Sequence, residues 1–328
     1  MVLFELQLLE TTLELTLMPA KSTVSIGDSV QDIDAQINYD DAISYWSDVP
    51  PTVDGVLGGF GEQTSVPKAD IVGSSTFMRK LKTRWSAEEG KEKYGIELGA
   101  GIGRVTRDFL HKICDKVDLL EPVEPFVERM RVELGPLKEQ GKIGEIYDIP
   151  LQDWKAEKGR YALIWCQWCI GHLPDSAFLQ WLDECRNGLQ EDGLLVLKEN
   201  NTNDDDDIFD PEDSSKTRSD KNFRRLFKQG GWKLIATDLQ KGVPRELYPI
   251  RMYALKPLNK STTTNKPDFS QIGVKDIDGK FLSSLYSVEL CIKILIIIKV
   301  QFTGQDKGLF SKGRITVLLD YKTALAVS

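Results

Sequence analysis

Histidine is scarce in this 328-residue chain, which holds only His111 and His172. A structural zinc site normally draws on two Cys/His pairs. Cys166, Cys169 and His172 follow a C-x-x-C-x-x-H spacing, but no second pair completes the set. No metal is expected, and both cysteines are read as packing residues. The five cysteines are odd in number and irregular in spacing, which points to a reducing compartment rather than a disulfide framework. Basic residues are outnumbered, 42 against 50 acidic, and the net charge of −8 argues against a general nucleic-acid binder and suits a cationic partner. Long hydrophobic runs are missing too. The greasiest stretch, Leu290–Val300, contains Lys293 and Lys299 and is too short to cross a bilayer. The first residues, broken by Glu5, Glu10 and Glu14, lack the basic region of a secretory signal and the Arg-rich character of a transit peptide. These absences lead us to expect a cytoplasmic protein with no membrane contact.

What is present is alternation. Residues 1–40 read as an extension of uncertain order. The segment YWSDVPPTVDGVLGGFG, from Tyr45, concentrates aromatics, prolines and glycines as a shaped loop or lid does. A helix is expected over Ala69–Trp85, with Ile71, Phe77, Met78 and Leu81 available for burial. Apolar runs then alternate with amphipathic ones. GIEL leads into TRDFLHKIC, KVDLLEP into FVERMRVELG, IGEIYDI into LQDW, and YALIWCQW into DSAFLQWLDECRNGL. GLLVLKEN opens at Gly193, an acidic loop and the helix SDKNFRRLFKQGG follow, and WKLIATDLQ and LYPIRMYALK close as a hairpin. This order predicts an α/β fold: seven strands, mostly parallel, doubly wound by helices, with the last strand antiparallel. A polar linker begins after Pro257, so 41–258 is the expected domain and 259–328 a linker and C-terminal extension.

Within that frame, KYGIELGAGIGRVTRDFL carries the densest information. A strand ending in an acid, Glu97, runs into Gly99, Gly101 and Gly103 at the start of a helix. Glycines there allow a tight turn and close approach of backbone to a ligand. Arg104 stands where a dinucleotide fingerprint needs a small residue, so a nicotinamide cofactor is disfavoured. About 22 residues beyond Gly99, Glu121 ends the next strand, placed to accept ribose hydroxyls. Glycine loop, helix and acid together predict a nucleoside-bearing cofactor.

The succession YWSDVPPTVDGVLGG, ELGAGIGR, LQDW, IWCQWCIGHLPD, KEN, DPEDSS and ELYPI resembles the protein α-N-terminal methyltransferases, Rossmann-like class I enzymes that use S-adenosylmethionine and modify proteins beginning X-Pro-Lys. The resemblance runs from Tyr45 to about Lys256. Lys198-Glu199-Asn200 stands where the family usually has Lys-Asp-Asn, and Asp204–Asp207 makes the following loop unusually acidic.

The resemblance implies an N-terminal helical or loop lid over the site. It also implies that Gly99, Gly101, Gly103 and Arg104 surround the methionine part of the cofactor, with Arg104 on its carboxylate. Glu121 would take the ribose, Leu151 and Gln152 would flank adenine, and Gln167 would complete the lining. A terminal amine has a pKa of about 7.7–8.0 and must lose a proton to attack a methyl group. His172 and Asp213 match the family's two proposed bases. Trp168 would stack on the proline, and Asp210 with Asp213 would meet the lysine. Asn200, Ser215, Tyr248, Trp46, Leu57 and Gly58 match peptide-contacting positions. Substrates implied are ribosomal or chromatin-associated proteins, in cytoplasm or nucleus, without direct nucleic-acid binding. The alternatives are a methyltransferase for a small-molecule amine and an inactive fold that binds a partner.

Overall fold

The computed structural model describes residues 2–4, 32–61, 63–258 and 317–319. Two compact units are present: Ile26–Asn259, and Met1–Ser25 with Lys260–Ser328. Within the second unit, Val2–Phe4 pairs antiparallel with Val317–Leu319. The expectations for residues 1–31 and 259–328 otherwise lie outside the described residues.

The first unit is built on seven strands: β1 (Tyr94–Leu98), β2 (Lys116–Leu120), β3 (Ile143–Tyr147), β4 (Tyr161–Gln167), β5 (Leu189–Asn200), β6 (Trp232–Leu239) and β7 (Ile250–Pro257). Their order across the sheet is β3-β2-β1-β4-β5-β7-β6. Strands β1 to β5 pair in parallel. β7 inserts between β5 and β6 and runs antiparallel to both. The hairpin of the last two runs is therefore as expected, and its second strand is the reversed one. The strand order changes direction at β1 and β4, and that switch opens a crevice at their carboxyl ends.

Successive residues of the central strands serve opposite faces, as the two-residue period of a strand requires. Ile164, Cys166, Leu195 and Leu197 join the layer containing Trp154, Phe178, Phe223 and Tyr253. Trp165, Leu194 and Val196 join the opposite layer with Phe77, Leu81 and Phe109. Burial on both faces explains why these strands read as continuous apolar runs.

The principal helices are α1 (Tyr39–Asp48), α2 (Val66–Lys80), α3 (Arg104–Asp108), α4 (Glu124–Glu133), α5 (Asp175–Gly188) and α6 (Asp220–Gln229). No helix among the described residues is long and apolar enough to cross a membrane. Two features differ from the sequence reading. Tyr45 and Trp46 belong to α1, whose start is capped by the Asn38 side chain accepting from the amides of Asp40 and Asp41. The loop begins only at Val49, which is extended ahead of Pro50 as a residue before proline should be. The compact unit also starts ahead of residue 41. Asp34, in the turn Ile33–Gln36, pairs with Lys216 and accepts from the Asp175 amide at 2.9 Å.

Trp165 is fully buried, with its ring centroid 5.4 Å from that of Phe109. Trp165→Ala should lower the unfolding free energy by about 3–5 kcal/mol in urea denaturation. A loss under about 1 kcal/mol would contradict this packing.

Candidate active site

The β1–β4 crevice is a cavity whose walls come from the ends of β1, β2 and β4 and from α1. Gly99 adopts φ +68°, and a Cβ there would lie 2.5 Å from the Cys169 Sγ. Any side chain would push the glycine loop off the loop after β4. Gly99 and Gly101 line the cavity. Gly103 is not among the lining residues. It turns the chain into α3 at φ +76°, and a Cβ would meet Leu134 Cδ1 at 2.8 Å, so its role is turning and packing.

Arg104 is 4% exposed, and its Nη2 lies 2.8 Å from Asp70 Oδ2. Its Nη1 is buried and has no hydrogen-bond partner among the described residues, while the side chain lines the cavity. A buried guanidinium nitrogen without an acceptor is costly, and a bound carboxylate would satisfy it. Glu121 follows β2 and also lines the cavity. It accepts from the Gly101 amide at 2.7 Å and the Val123 amide at 3.1 Å. Burial nevertheless pushes its carboxyl up to about 7. Leu151 and Gln152, in the short turn Leu151–Asp153, form another part of the wall, as does Gln167 at the end of β4. The expected cofactor residues, Gly103 excepted, thus converge on one cavity.

His172 and Trp168 stand at the mouth on the loop after β4, and Trp46 reaches them from α1. The Trp46 indole N–H donates to His172 Nε2 at 3.2 Å. Nε2 is therefore the lone-pair nitrogen of a neutral ring, with the proton on Nδ1. Burial lowers the His172 pKa, while the Asp213 carboxylate acts against that shift. Asp213 lies in the turn of a hairpin formed by Ile208–Asp210 and Ser215–Thr217, and its Oδ1 is buried without a partner among the described residues. Ser214, in the same turn, accepts from the Asn38 amide at 2.8 Å, which places the hairpin against the start of α1. Ser215 packs on the loop at Gly171, where a Cβ would come within 3.5 Å of its own Cβ. Asn200 pairs with Ile250 at the same sheet edge, and Tyr248 precedes that pair, 37% exposed. Leu57 and Gly58 follow the one-turn helix Val53–Val56. Asn200, Asp210, Asp213, Ser215, Tyr248, Leu57 and Gly58 are not part of the cavity wall.

Several contributors carry no role in the sequence pattern. Glu97, beside the glycines, lines the cavity, accepts from the Thr106 amide at 2.9 Å, and is pushed up to about 7 by burial. Tyr39 of α1 lines the cavity as well. Asp70 had a legible signal: with Ser74 and Phe77 it marks the buried face of α2, where a carboxylate demands a partner. Glu199 is buried, and its Oε1 accepts from the amides of Cys169 at 2.9 Å and Ile170 at 3.0 Å. It thereby holds the loop in which Trp168 adopts a left-handed φ of +55°. Arg218, fully buried, donates from Nη1 to the Ile170 carbonyl at 3.1 Å and supports the same loop. His111 sits apart in the turn Leu110–Lys112, its Nδ1 3.0 Å from the Thr106 carbonyl oxygen.

Cys166, Cys169 and Glu199 bring their ligand atoms within 4.8 Å of one another. Glu199 is engaged by the loop amides, and the thiols are held protonated, that of Cys166 chiefly by burial and that of Cys169 chiefly by its contact with Cys166. The cluster fits loop packing better than metal ligation.

Residues 34–256 match the profile of the AdoMet-dependent proline di-methyltransferase family. An alpha N-terminal protein methyltransferase 1 of Schizosaccharomyces pombe is 43% identical over 225 residues, 69% of this chain and 99% of that protein. The N-terminal Xaa-Pro-Lys N-methyltransferase 1-A of Xenopus laevis is 38% identical over 223 residues, 66% of this chain and 95% of that protein. A solved SAM-dependent methyltransferase of Leishmania major superposes with a TM-score of 0.60 at 35% identity, over 66% of this chain and 82% of that one.

Glu199→Ala would strip two buried amides of their acceptor, at about 1–3 kcal/mol each. Urea unfolding should show a loss of at least about 2 kcal/mol, and a smaller one for Glu199→Gln, which keeps an acceptor oxygen. Equal stability of Glu199→Ala and the unaltered protein would contradict the role of Glu199 in the loop.

Proposed function

The chain belongs to the AdoMet-dependent proline di-methyltransferase family, and we propose that it methylates the free α-amino group of proteins beginning X-Pro-Lys. The observation that carries this is the pairing of a dry, neutral His172 and Asp213 at the mouth of a cavity whose inner wall offers Arg104 Nη1 and Glu121. S-adenosylmethionine supplies a methyl group on a sulfonium centre, which a neutral amine attacks. The residues present fit that cofactor. The unpartnered Arg104 Nη1 suits a carboxylate, and Glu121 keeps lone pairs for ribose hydroxyls beside its two amide contacts. Leu151 and Gln152 would flank adenine, Gln167 would complete the lining, and Gly99 and Gly101 leave the loop clear.

The rest of the task falls to the chain's own side chains. An incoming terminal ammonium must lose its proton, and His172 Nε2 offers the lone pair to take it once the Trp46 indole yields. Asp213 then stabilises the imidazolium with its unsatisfied Oδ1 and also aligns the amine. Trp168, fixed in its strained backbone conformation, presents a ring for the second-position proline. Asp210 and Asp213 offer carboxylates to the third-position lysine. Asn200, Ser215, Tyr248, Trp46, Leu57 and Gly58 encircle the peptide backbone. Ribosomal and chromatin-associated proteins with such termini are the proposed substrates, and the cytoplasm and nucleus the proposed places of action.

His172→Asn and Asp213→Asn should each lower kcat by roughly 10²-fold in single-turnover methylation of a Ser-Pro-Lys peptide. The terminal amine loses its proton near pH 7.7–8.0, so part of the deficit should recover as pH rises through and beyond that range. Near-normal rates for both variants at every pH would remove the base assignment.

Lysine recognition has its own test. A lysine on a partly desolvated carboxylate contributes about 1.5–3 kcal/mol, so Ser-Pro-Lys should exceed Ser-Pro-Ala by more than about tenfold in kcat/KM. Equal efficiencies would leave Asp210 a solvated charge.

A further inference from the structure

We infer that Asp70, with Lys198 behind it, is a positioning residue that presents Arg104 and Gln167 to the cofactor. The inference rests on the proposed role of Arg104. Asp70 is 1% exposed on the inner face of α2, outside the glycine loop and outside every motif of the sequence reading. Its two carboxylate oxygens divide their work. Oδ2 faces Arg104 Nη2 at 2.8 Å, and Oδ1 accepts from Gln167 Nε2 at 2.9 Å. The Gln167 carboxamide is pinned at its other end by the Trp165 indole N–H, 3.1 Å from Oε1. One carboxylate therefore sets the orientation of two cavity-lining side chains from different elements.

The geometry has a directional consequence for Arg104. A guanidinium is a planar fork, and the ion pair at Nη2 constrains where Nη1 points; Asp70 Oδ2 in that pair has no hydrogen-bond partner of its own among the described residues. Here Nη1 is the nitrogen with no partner among the described residues, on a side chain that lines the cavity. Asp70 takes one tine and leaves the other for an anion.

Lys198 explains why Asp70 does not simply cancel Arg104. Lys198 is fully buried in β5 and pairs with Asp70 Oδ1. Its ammonium also reaches Ser74 Oγ at 3.0 Å, the Asp70 carbonyl at 3.0 Å and Gln240 Oε1 at 2.8 Å. Burial alone would raise the Asp70 carboxyl, yet Lys198 and Arg104 together hold it below its ordinary value. Two buried cations thus share the Asp70 carboxylate. Glu97 is the other acid that acts on Arg104, and it is itself engaged by Thr106. A carboxylate entering the cavity would give Arg104 Nη1 the acceptor it lacks.

Calorimetry with S-adenosylhomocysteine and steady-state kinetics with a Ser-Pro-Lys peptide test this on the full chain. Asp70→Asn should weaken binding about 10–100-fold and raise KM for S-adenosylmethionine, with kcat changed less than about threefold, because the bases are untouched. Asp70→Asn alone strands two buried cations and can unfold the protein, so Asp70→Asn/Lys198→Met, which removes one charge of each sign, serves as the folded counterpart. It should show the same KM-against-kcat split. Adding Arg104→Lys to it should cost less than the separate losses combined, because the residues act through one contact. Wild-type affinity in the folded Asp70 variants beside a weakened Arg104→Lys would overturn the inference and leave the reading of Arg104 standing. Unchanged affinity in Arg104→Lys would overturn that reading itself.

Discussion

The cavity of this protein hangs from one topological fact, the reversal of strand order between β1 and β4. Parallel strands on either side of that switch send their following loops apart, so the space above their carboxyl ends is left open. The glycine loop leaves β1, Glu121 leaves β2, and the Trp168–His172 loop leaves β4. The central strands are dry on both faces, so these loops start from a rigid base. Reaching into such a crevice means carrying polar groups out of water. Each one is therefore satisfied by a neighbour or left with a single open position.

That rule organises the second tier of residues. Asp70 answers Arg104 and Lys198; Glu199 and Arg218 answer the amides and carbonyls of the His172 loop. Asp175, at the start of α5, gathers Lys216 and Arg218 and links the acidic hairpin to the loop it faces. Among the buried atoms left without a hydrogen-bond partner are Arg104 Nη1, Asp70 Oδ2, Trp168 Nε1, His172 Nδ1 and Asp213 Oδ1. Arg104 is a cation suited to an anion, and His172 a buried base beside the Asp213 carboxylate.

Much of this was legible in the chain. Strands whose residues feed both layers read as apolar runs, and glycines at positive φ marked the loop after β1. Glu121 was found by its distance from the glycines, and His172 by its scarcity and its motif. Other features stayed hidden for physical reasons. Gly103 shares the spacing of its neighbours but is shaped by Met130 and Leu134, which are remote in sequence. Trp46 looked like part of a loop because its prolines follow directly; the cap at Asn38 extends α1 through it. Asp70 and Lys198 meet across about 128 residues, and neither position shows alone that the other will neutralise it. Glu199 is one methylene longer than the family's usual Asp, and only the fold shows its reach to two loop amides.

The central claim is transfer of a methyl group to a terminal α-amine. Incubating the protein with S-adenosylmethionine and a Ser-Pro-Lys peptide, then locating the added methyl by fragmentation mass spectrometry, tests it directly. The account predicts methylation on the α-nitrogen and none when that nitrogen is acetylated. Methyl on the lysine side chain, or an untouched peptide beside a methylated small amine, would contradict it.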